Sequence, residues 1–216
     1  IIGPLSKNKS KIFDLSKKFK NINPIYGSTN LLDTYKKTDL FIGSASTSVY
    51  ETGALNVPSI LISFTKNQNT DILYLEKIGH YFYLDRSCIK NFNKIVDLII
   101  YFKNNYKRIK KLINNPLVQI DDKGVNRILS QISNNQKKIK KINKIKKNFD
   151  ENKLSIREVN DNDINHYLKA RNLEININHS LNKKKILPLD HYNWWFNTNR
   201  KSYLLTKGDK KILYFY

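Results

Sequence analysis

The sequence predicts an α/β fold built on a parallel sheet, and three observations lead there. Short apolar runs at residues 39–42, 59–64 and 81–84 have the length and continuity of strands buried on both faces. Stretches of helical period separate them, at residues 46–55 and 71–78. Turn-forming residues (Gly43, Asn56, Pro58, Gly79) mark the junctions. Strands alternating with single helices make βαβ units, whose sheets are parallel and covered by helices.

Each element has its own signature. Ile1-Ile2-Gly3 reads as the end of a strand. Residues 10–19 put Ile12, Phe13, Leu15 and Phe19 on roughly one helical face. Residues 22–26 form a short extended segment in which Pro24 suits an edge or a strand end. A helix over 30–37 precedes the 39–42 run. From Phe92 onward, Ile95, Leu98, Ile99, Phe102, Tyr106, Ile109 and Ile113 keep a helical spacing until Asn114-Asn115-Pro116, which predicts a long helix. A second long helix starts near Gly124. Val125, Ile128, Ile132, Ile139 and Ile142 form its apolar stripe, and the lysines of 137–147 take the other faces. Such a helix docks its isoleucines on a neighbour and solvates its lysines; the competing reading is contact with an anionic membrane surface or nucleic acid. Residues 148–152 read as a linker. Beyond it the pattern becomes α+β. Residues 154–159 alternate like a strand, and 160–163 supply N-cap chemistry for a helix through Ala170. Residues 189–196 form an aromatic-rich helix, and 202–206 with 211–216 form a hairpin turning at Lys207-Gly208-Asp209. A sheet ending on such a hairpin is expected to be incomplete.

Composition narrows the function classes. With 216 residues and 40% hydrophobic content, the chain can fill a core and is no disordered polybasic tail. One cysteine, Cys88, excludes a disulfide framework, and four scattered histidines leave little for a metal site. No run approaches the roughly 18–20 apolar residues of a membrane span, and no signal-peptide pattern is present. The sequence holds no methionine and begins at Ile1, so a piece of a longer protein is expected. The net charge of +21 has a simple source: 33 Lys, 29 Asn and 28 Ile are residues whose codons are nearly pure A and T. It is also uneven, with 14 basic and 3 acidic side chains in residues 101–150 against 5 and 5 in 51–100. No nucleic-acid reading module accompanies it, so a nucleic-acid partner is not expected.

The chemistry concentrates in residues 39–51 and 56–68. A strand leads into a loop of small residues and then a helix opening on Ser46, Thr47 and Ser48. Small residues let a ligand approach the backbone, and free amides of a first helical turn attract phosphate oxygens. Glu51 lies about one turn further on, where a carboxylate suits a vicinal diol such as a ribose. The loop follows the carboxyl end of a parallel strand, the usual ligand edge of such sheets. An equal alternative is that the hydroxyls only cap the helix and Glu51 complements its dipole. No Walker A or Gly-x-Gly-x-x-Gly pattern occurs.

The motif formed by Asp39, Gly43, Thr47, Glu51, Asn56-Val57-Pro58 and Asn67-Gln68 resembles the nucleotide-binding C-terminal half of GT-B-fold enzymes. These include the peptidoglycan N-acetylglucosaminyltransferases and, more closely similar, the UDP-sugar hydrolases of pseudaminic acid biosynthesis, which release UDP from a 2,4-diacetamido-2,4,6-trideoxy sugar. The resemblance covers about residues 1–135 and implies a Rossmann-like sheet. It implies that Glu51 binds the ribose, that Gly43, Ser46, Thr47 and Ser48 hold the diphosphate, and that Asn67 and Gln68 face the sugar, with no cofactor or metal. Relatives carry more glycine where this chain has Ser44 and Ala45. They also carry their catalytic histidine in a preceding domain, so no catalytic residue is assigned here. His80 is read as structural.

Residues 153–216 resemble the start of a Gcn5-related N-acetyltransferase, on residues 154–159 and 160–163, Arg171-Asn172 and His191-x-x-Trp194. Relatives place Trp before the Arg-Asn pair, where this chain has Ala170. The resemblance implies acetyl-CoA as cofactor of the complete domain, with its pyrophosphate loop beyond this sequence. His191 is a candidate substrate contact; the competing reading is a satisfied structural histidine, and Trp194, Trp195 and Phe196 read as an aromatic core face. The organisation expected is therefore a UDP-sugar-binding domain at 1–135, a lysine-rich helix and linker at 136–152, and a truncated acetyltransferase domain at 153–216. Together they imply a fragment of a cytoplasmic, bifunctional enzyme acting on a UDP-linked amino sugar, the fragment itself catalysing neither reaction. The alternatives are a GT-B glycosyltransferase and a non-catalytic basic binding module.

Overall fold

Helix and strand signals resolve into two compact units, residues 1–38 and 39–216. The computed structural model describes residues 1–3, 6–27, 30–134, 154–199 and 201–215. In the first unit, α1 (Lys9–Lys18) ends at Phe19, whose N–H bonds Leu15 O at 2.8 Å. The two extended segments meet as a single parallel bridge, Ile2 with Tyr26, in which Ile2 N–H donates to Ile25 O at 2.7 Å. α2 (Leu32–Lys36) is shorter than its sequence signal and buries Tyr35.

The second unit opens with the predicted βαβαβ run: β1 (Phe41–Ser44), α3 (Ser48–Ala54), β2 (Ser59–Ser63), α4 (Ile72–Glu76) and β3 (Phe82–Asp85). The strands are parallel in the order β1-β2-β3, with Ile42 opposite Ile60 and Ile62 opposite Leu84. The fold is α/β, as the periodicity predicts. Every residue of β2 is buried, which follows from helices on both faces. Leu61 packs with Val49 and Leu75 on the α3–α4 side. Ile60, Ile62, Phe82 and Leu84 pack on the other side, against α5 (Phe92–Asn104) and α6 (Tyr106–Ile113). The long helix expected from Phe92 is thus two. Asn105 separates them: its Nδ2 donates to Tyr101 O at 2.9 Å, and its backbone leaves helical geometry (ψ 21°). A side-chain amide that competes for a backbone carbonyl breaks the run while the apolar spacing continues across it.

α7 (Gly124–Asn134) forms where expected, but Val125, Ile128 and Ile132 are exposed, so the stripe docks on no neighbour among the described residues. The lysines of 137–147 and the 136–152 linker lie outside the described residues.

The C-terminal segment holds β4 (Leu154–Glu158), α8 (Ile164–Arg171), α9 (Glu174–Asn178), α10 (Pro188–Asn197), β5 (Tyr203–Lys207) and β6 (Lys210–Phe215). Its sheet is antiparallel in the order β4-β5-β6. Asn160 caps the turn ahead of α8 in a capping box with Asp163, as its sequence signal predicts. Asp163 is fully buried and ties three elements together. Arg157 of β4 donates to both its oxygens (2.7 and 2.8 Å), and Lys211 of β6 reaches it at 2.8 Å. Burial alone raises its pKa, but the hydrogen bonds from Arg157, Lys211 and Asn160 outweigh that and hold it down at about 2. α9 has no counterpart in the sequence reading, because Glu-Ile-Asn-Ile-Asn alternates with a period of two.

Ile164 of α8 and Leu189 and Tyr192 of α10 belong to the same apolar cluster as Ile60, Phe82 and Leu84. The Phe82 ring meets Phe102 and Tyr192 edge-on, at 4.5 and 5.3 Å between centroids. The outer edge of β3 is closed by side chains. Tyr192 Oη accepts from Tyr83 N–H at 3.5 Å and donates to Asn165 Oδ1 at 2.7 Å. Asn165 Nδ2 donates to Tyr81 O (2.9 Å) and Glu76 Oε1 (2.7 Å). Asn165→Leu leaves these groups unpaired in the interior and should cost about 2 kcal/mol in urea unfolding, with faster amide exchange at Tyr83. Since α8 and α10 bury their inner faces on the parallel sheet, residues 153–216 expressed alone should show no cooperative thermal transition; a sharp one would contradict this packing.

Candidate functional site

Parallel strands end on the same side of a sheet, so the loops after β1, β2 and β3 share one edge. Gly43, Ser46, Thr47, Ser48, Glu51, Asn67 and Gln68 lie on or next to that edge, whereas Asp39 and Asn56-Val57-Pro58 precede β1 and β2 at the opposite end. Gly43 is within β1, opposite Leu61, and a side chain there would run into the Phe41 ring. Its smallness is therefore used by packing. Ala45 N–H extends the pairing to Ile62 O at 3.1 Å, and Ser46 N–H closes the turn on Ser44 O at 2.8 Å. Thr47 occupies the N-cap position of α3, yet its side chain makes no capping bond. Among the described residues, the N–H groups of Thr47 and Ser48 and the hydroxyls of Ser46, Thr47 and Ser48 have no hydrogen-bond partner. Ser46, Thr47 and Glu51 are exposed, and Glu51 forms no ion pair among the described residues. α3 has only seven residues, so its dipole adds little and the hydroxyls, amides and carboxylate carry the chemistry.

After β2 the chain makes a short 3-10 turn, Lys66–Gln68. Asn67 Oδ1 accepts the Thr65 hydroxyl, and Gln68 Oε1 accepts Phe64 N–H at 2.9 Å. Tyr83 Oη donates to Gln68 O at 3.1 Å, and Ser63 Oγ donates to Asn69 Oδ1 at 2.6 Å. The turn thus consumes the oxygens of Asn67 and Gln68 and leaves their NH₂ groups as donors. Two cations unmarked by the sequence stand on the same edge: Lys66 after β2 and Arg86 after β3, both exposed. Nothing in a local motif links them; parallel pairing puts the loops that carry them on one edge.

His80 is buried, and its Nε2 lies 2.7 Å from Val49 O. A carbonyl only accepts, so Nε2 carries the proton and the histidine ties α3 to the start of β3. Burial lowers its pKa. His191 is built the same way: 1% exposed, with Nε2 donating to Ile164 O at 2.8 Å. Tyr167, Trp194 and Trp195 surround its ring at 6.2, 5.7 and 5.5 Å, and Nδ1 has no partner among the described residues. Burial drives its pKa down to about 4.

A polar cluster gathers where α4 meets α8. Burial raises the Glu76 pKa against the hydrogen bond from Asn165, and burial together with Lys211 lowers that of His166. No group of three or more metal-ligating side chains occurs among the described residues. A recess of about 410 Å³ opens at the opposite, amino end of the sheet, lined by Asp39, Leu40, Ile99, Phe102, Lys103 and Tyr106. Among the described residues, no helix is long and apolar enough to cross a membrane.

No protein-family model, curated protein or solved structure matches the chain.

His191 has a testable electrostatic consequence. Its folded pKa lies below its unfolded value near 6.5, so the unfolded chain binds a proton between about pH 6.5 and 4 that the folded chain refuses. Stability should fall as the pH is lowered across that window, with a slope of up to ~1.4 kcal/mol per pH unit from this one group. Urea unfolding of His191→Gln across pH 4–7 should show a flatter dependence than the parent chain.

Proposed function

We propose that the carboxyl edge of the β1–β3 sheet binds the UDP portion of a UDP-linked amino sugar. The observation that supports this most is that the hydroxyls ahead of α3 are not spent on capping. Ser46, Thr47 and Ser48 keep their hydroxyls, and Thr47 and Ser48 their amides, unpaired among the described residues. These donors suit a diphosphate, and Lys66 and Arg86 add positive charge along the same edge. Glu51, one turn into α3, accepts the ribose hydroxyls in this reading. Asn67 and Gln68 present amide donors to the sugar.

In the same reading the chain is part of a GT-B-like enzyme, cytoplasmic, that hydrolyses a UDP-sugar with UDP leaving. Water attack at the anomeric carbon needs a base within hydrogen-bond reach. None of the residues at this edge is given that role. A β-strand, a helix entered through a capped turn, a short helix, an aromatic helix and an antiparallel hairpin follow one another in β4, α8, α9, α10, β5 and β6. That order supports reading the segment as the opening part of a Gcn5-related acetyltransferase that uses acetyl-CoA. Buried, His191 serves there to lock α10 onto α8. Any acetyltransferase chemistry would have to come from other groups.

Calorimetric titration of the full chain with UDP tests the nucleotide site. Micromolar binding should weaken at least tenfold in Glu51→Ala, about 1.4 kcal/mol, and should also weaken in Thr47→Ala. Unchanged affinity in Glu51→Ala removes the ribose role. Absence of UDP binding, with single-stranded RNA bound along a steep salt slope, would replace this reading with a basic binding module.

A further inference from the structure

The antiparallel sheet has two very different faces. Inward, Leu204 is fully buried, Arg157 and Lys211 hold Asp163, and Tyr214 stacks edge-on with Tyr167. Outward, the strand register sets three rows: Leu154, Lys207 and Lys210; Ile156, Leu205 and Leu213; Glu158, Tyr203 and Phe215. Leu154, Ile156 and Leu213 are 60%, 63% and 54% exposed, and Tyr203 stacks on Phe215 at 5.8 Å. Six apolar side chains on one sheet face, with nothing over them among the described residues, form a patch of the kind that marks an association surface.

We propose that this face is the interface of a two-fold dimer of the chain. The arrangement of charge selects a second copy. Lysines occupy one end of the face and Glu158 the other, with an apolar row between. A two-fold axis lying in the interface along the Ile156–Leu205–Leu213 row reverses the strand direction of the second copy. The apolar row then packs on itself. Lys207 and Lys210 of each copy come over the end that holds Glu158, Tyr203 and Phe215 in the other. There an ammonium finds a carboxylate and two aromatic faces. Face-to-face sheets pack about 10 Å apart at a small angle, which brings these ends within reach. Neither Glu158 nor the two lysines is committed to an ion pair among the described residues.

Sedimentation of the full chain between 1 and 100 µM should show a concentration-dependent species of twice the 25.4 kDa chain mass. Ile156→Lys, at an exposed position, should abolish it while leaving the thermal transition in place. Glu158→Lys should weaken association at least tenfold. Adding Lys207→Glu and Lys210→Glu to that variant should restore it by exchanging the two ends. A monomer throughout the range overturns the proposal, as does a dimer that survives Ile156→Lys. Dimers unaffected by Glu158→Lys overturn the antiparallel two-fold arrangement.

Discussion

The second unit depends on how the free edge of β3 is closed. A three-stranded parallel sheet leaves backbone N–H and C=O groups exposed along its outer strands, and parallel sheets persist only where they are buried. Among the described residues no further strand covers β3. Asn165 and Tyr192, from helices about a hundred residues downstream, supply a donor to Tyr81 O and an acceptor to Tyr83 N–H. Asn165 spends both its amide hydrogens, on Tyr81 and Glu76, while its oxygen takes the Tyr192 hydroxyl. Each bond contributes only about 1 kcal/mol, but an unpaired member would cost its full desolvation. The edge is therefore closed cooperatively, and α8 and α10 are part of the α/β core.

The antiparallel sheet is attached by a different force. Asp163 holds β4 through Arg157 and β6 through Lys211, while its capping box starts the turn into α8. A buried carboxylate with these partners fixes geometry more than it adds stability, because the desolvation of the charge offsets much of the attraction. This anchoring uses the inner face alone. It fixes the register that sets Ile156, Leu205 and Leu213 side by side on the outer face, so the uncovered apolar rows and the buried ion cluster have one origin.

Much of this architecture was legible in the sequence, and the failures have identifiable causes. The β2 run, Ser-Ile-Leu-Ile-Ser, reads as a doubly covered strand and is one. The N-cap at Asn160 is local chemistry and forms as expected. Asn105 was invisible because its side-chain bond to Tyr101 O breaks the helix without disturbing the apolar spacing. α9 hid behind an alternating pattern. At the site, periodicity located Ser46, Thr47, Ser48 and Glu51 but left capping and binding equally open, since only geometry shows whether a hydroxyl is already spent. Lys66 and Arg86 could not be linked from sequence, because only the parallel pairing of β2 and β3 puts their loops on one edge. The docking of the C-terminal helices was equally hidden: Tyr192 reads as one aromatic among several until its hydroxyl is seen at β3.

Closing the β3 edge also bears on the loop that follows it. The chain leaves β3 through a 3-10 turn, Arg86–Asn91, and enters α5 at Phe92. α10 grips the first turn of α5 there: Lys94 Nζ meets Asp190 at 2.6 Å, and Asn193 Nδ2 donates to Lys94 O at 3.0 Å. The loop carrying Arg86 is thus held at one end by β3, whose edge Tyr192 closes, and at the other by α5, which Asp190 and Asn193 clamp. All three side chains come from α10. The helix that reads as part of a separate catalytic module is, in physical terms, the brace of the third loop on the proposed nucleotide edge. Loosening α10 would therefore disturb that edge first through Arg86, while Ser46, Thr47 and Glu51 stand on α3 and the β1 loop, which His80 holds from the opposite face of the sheet.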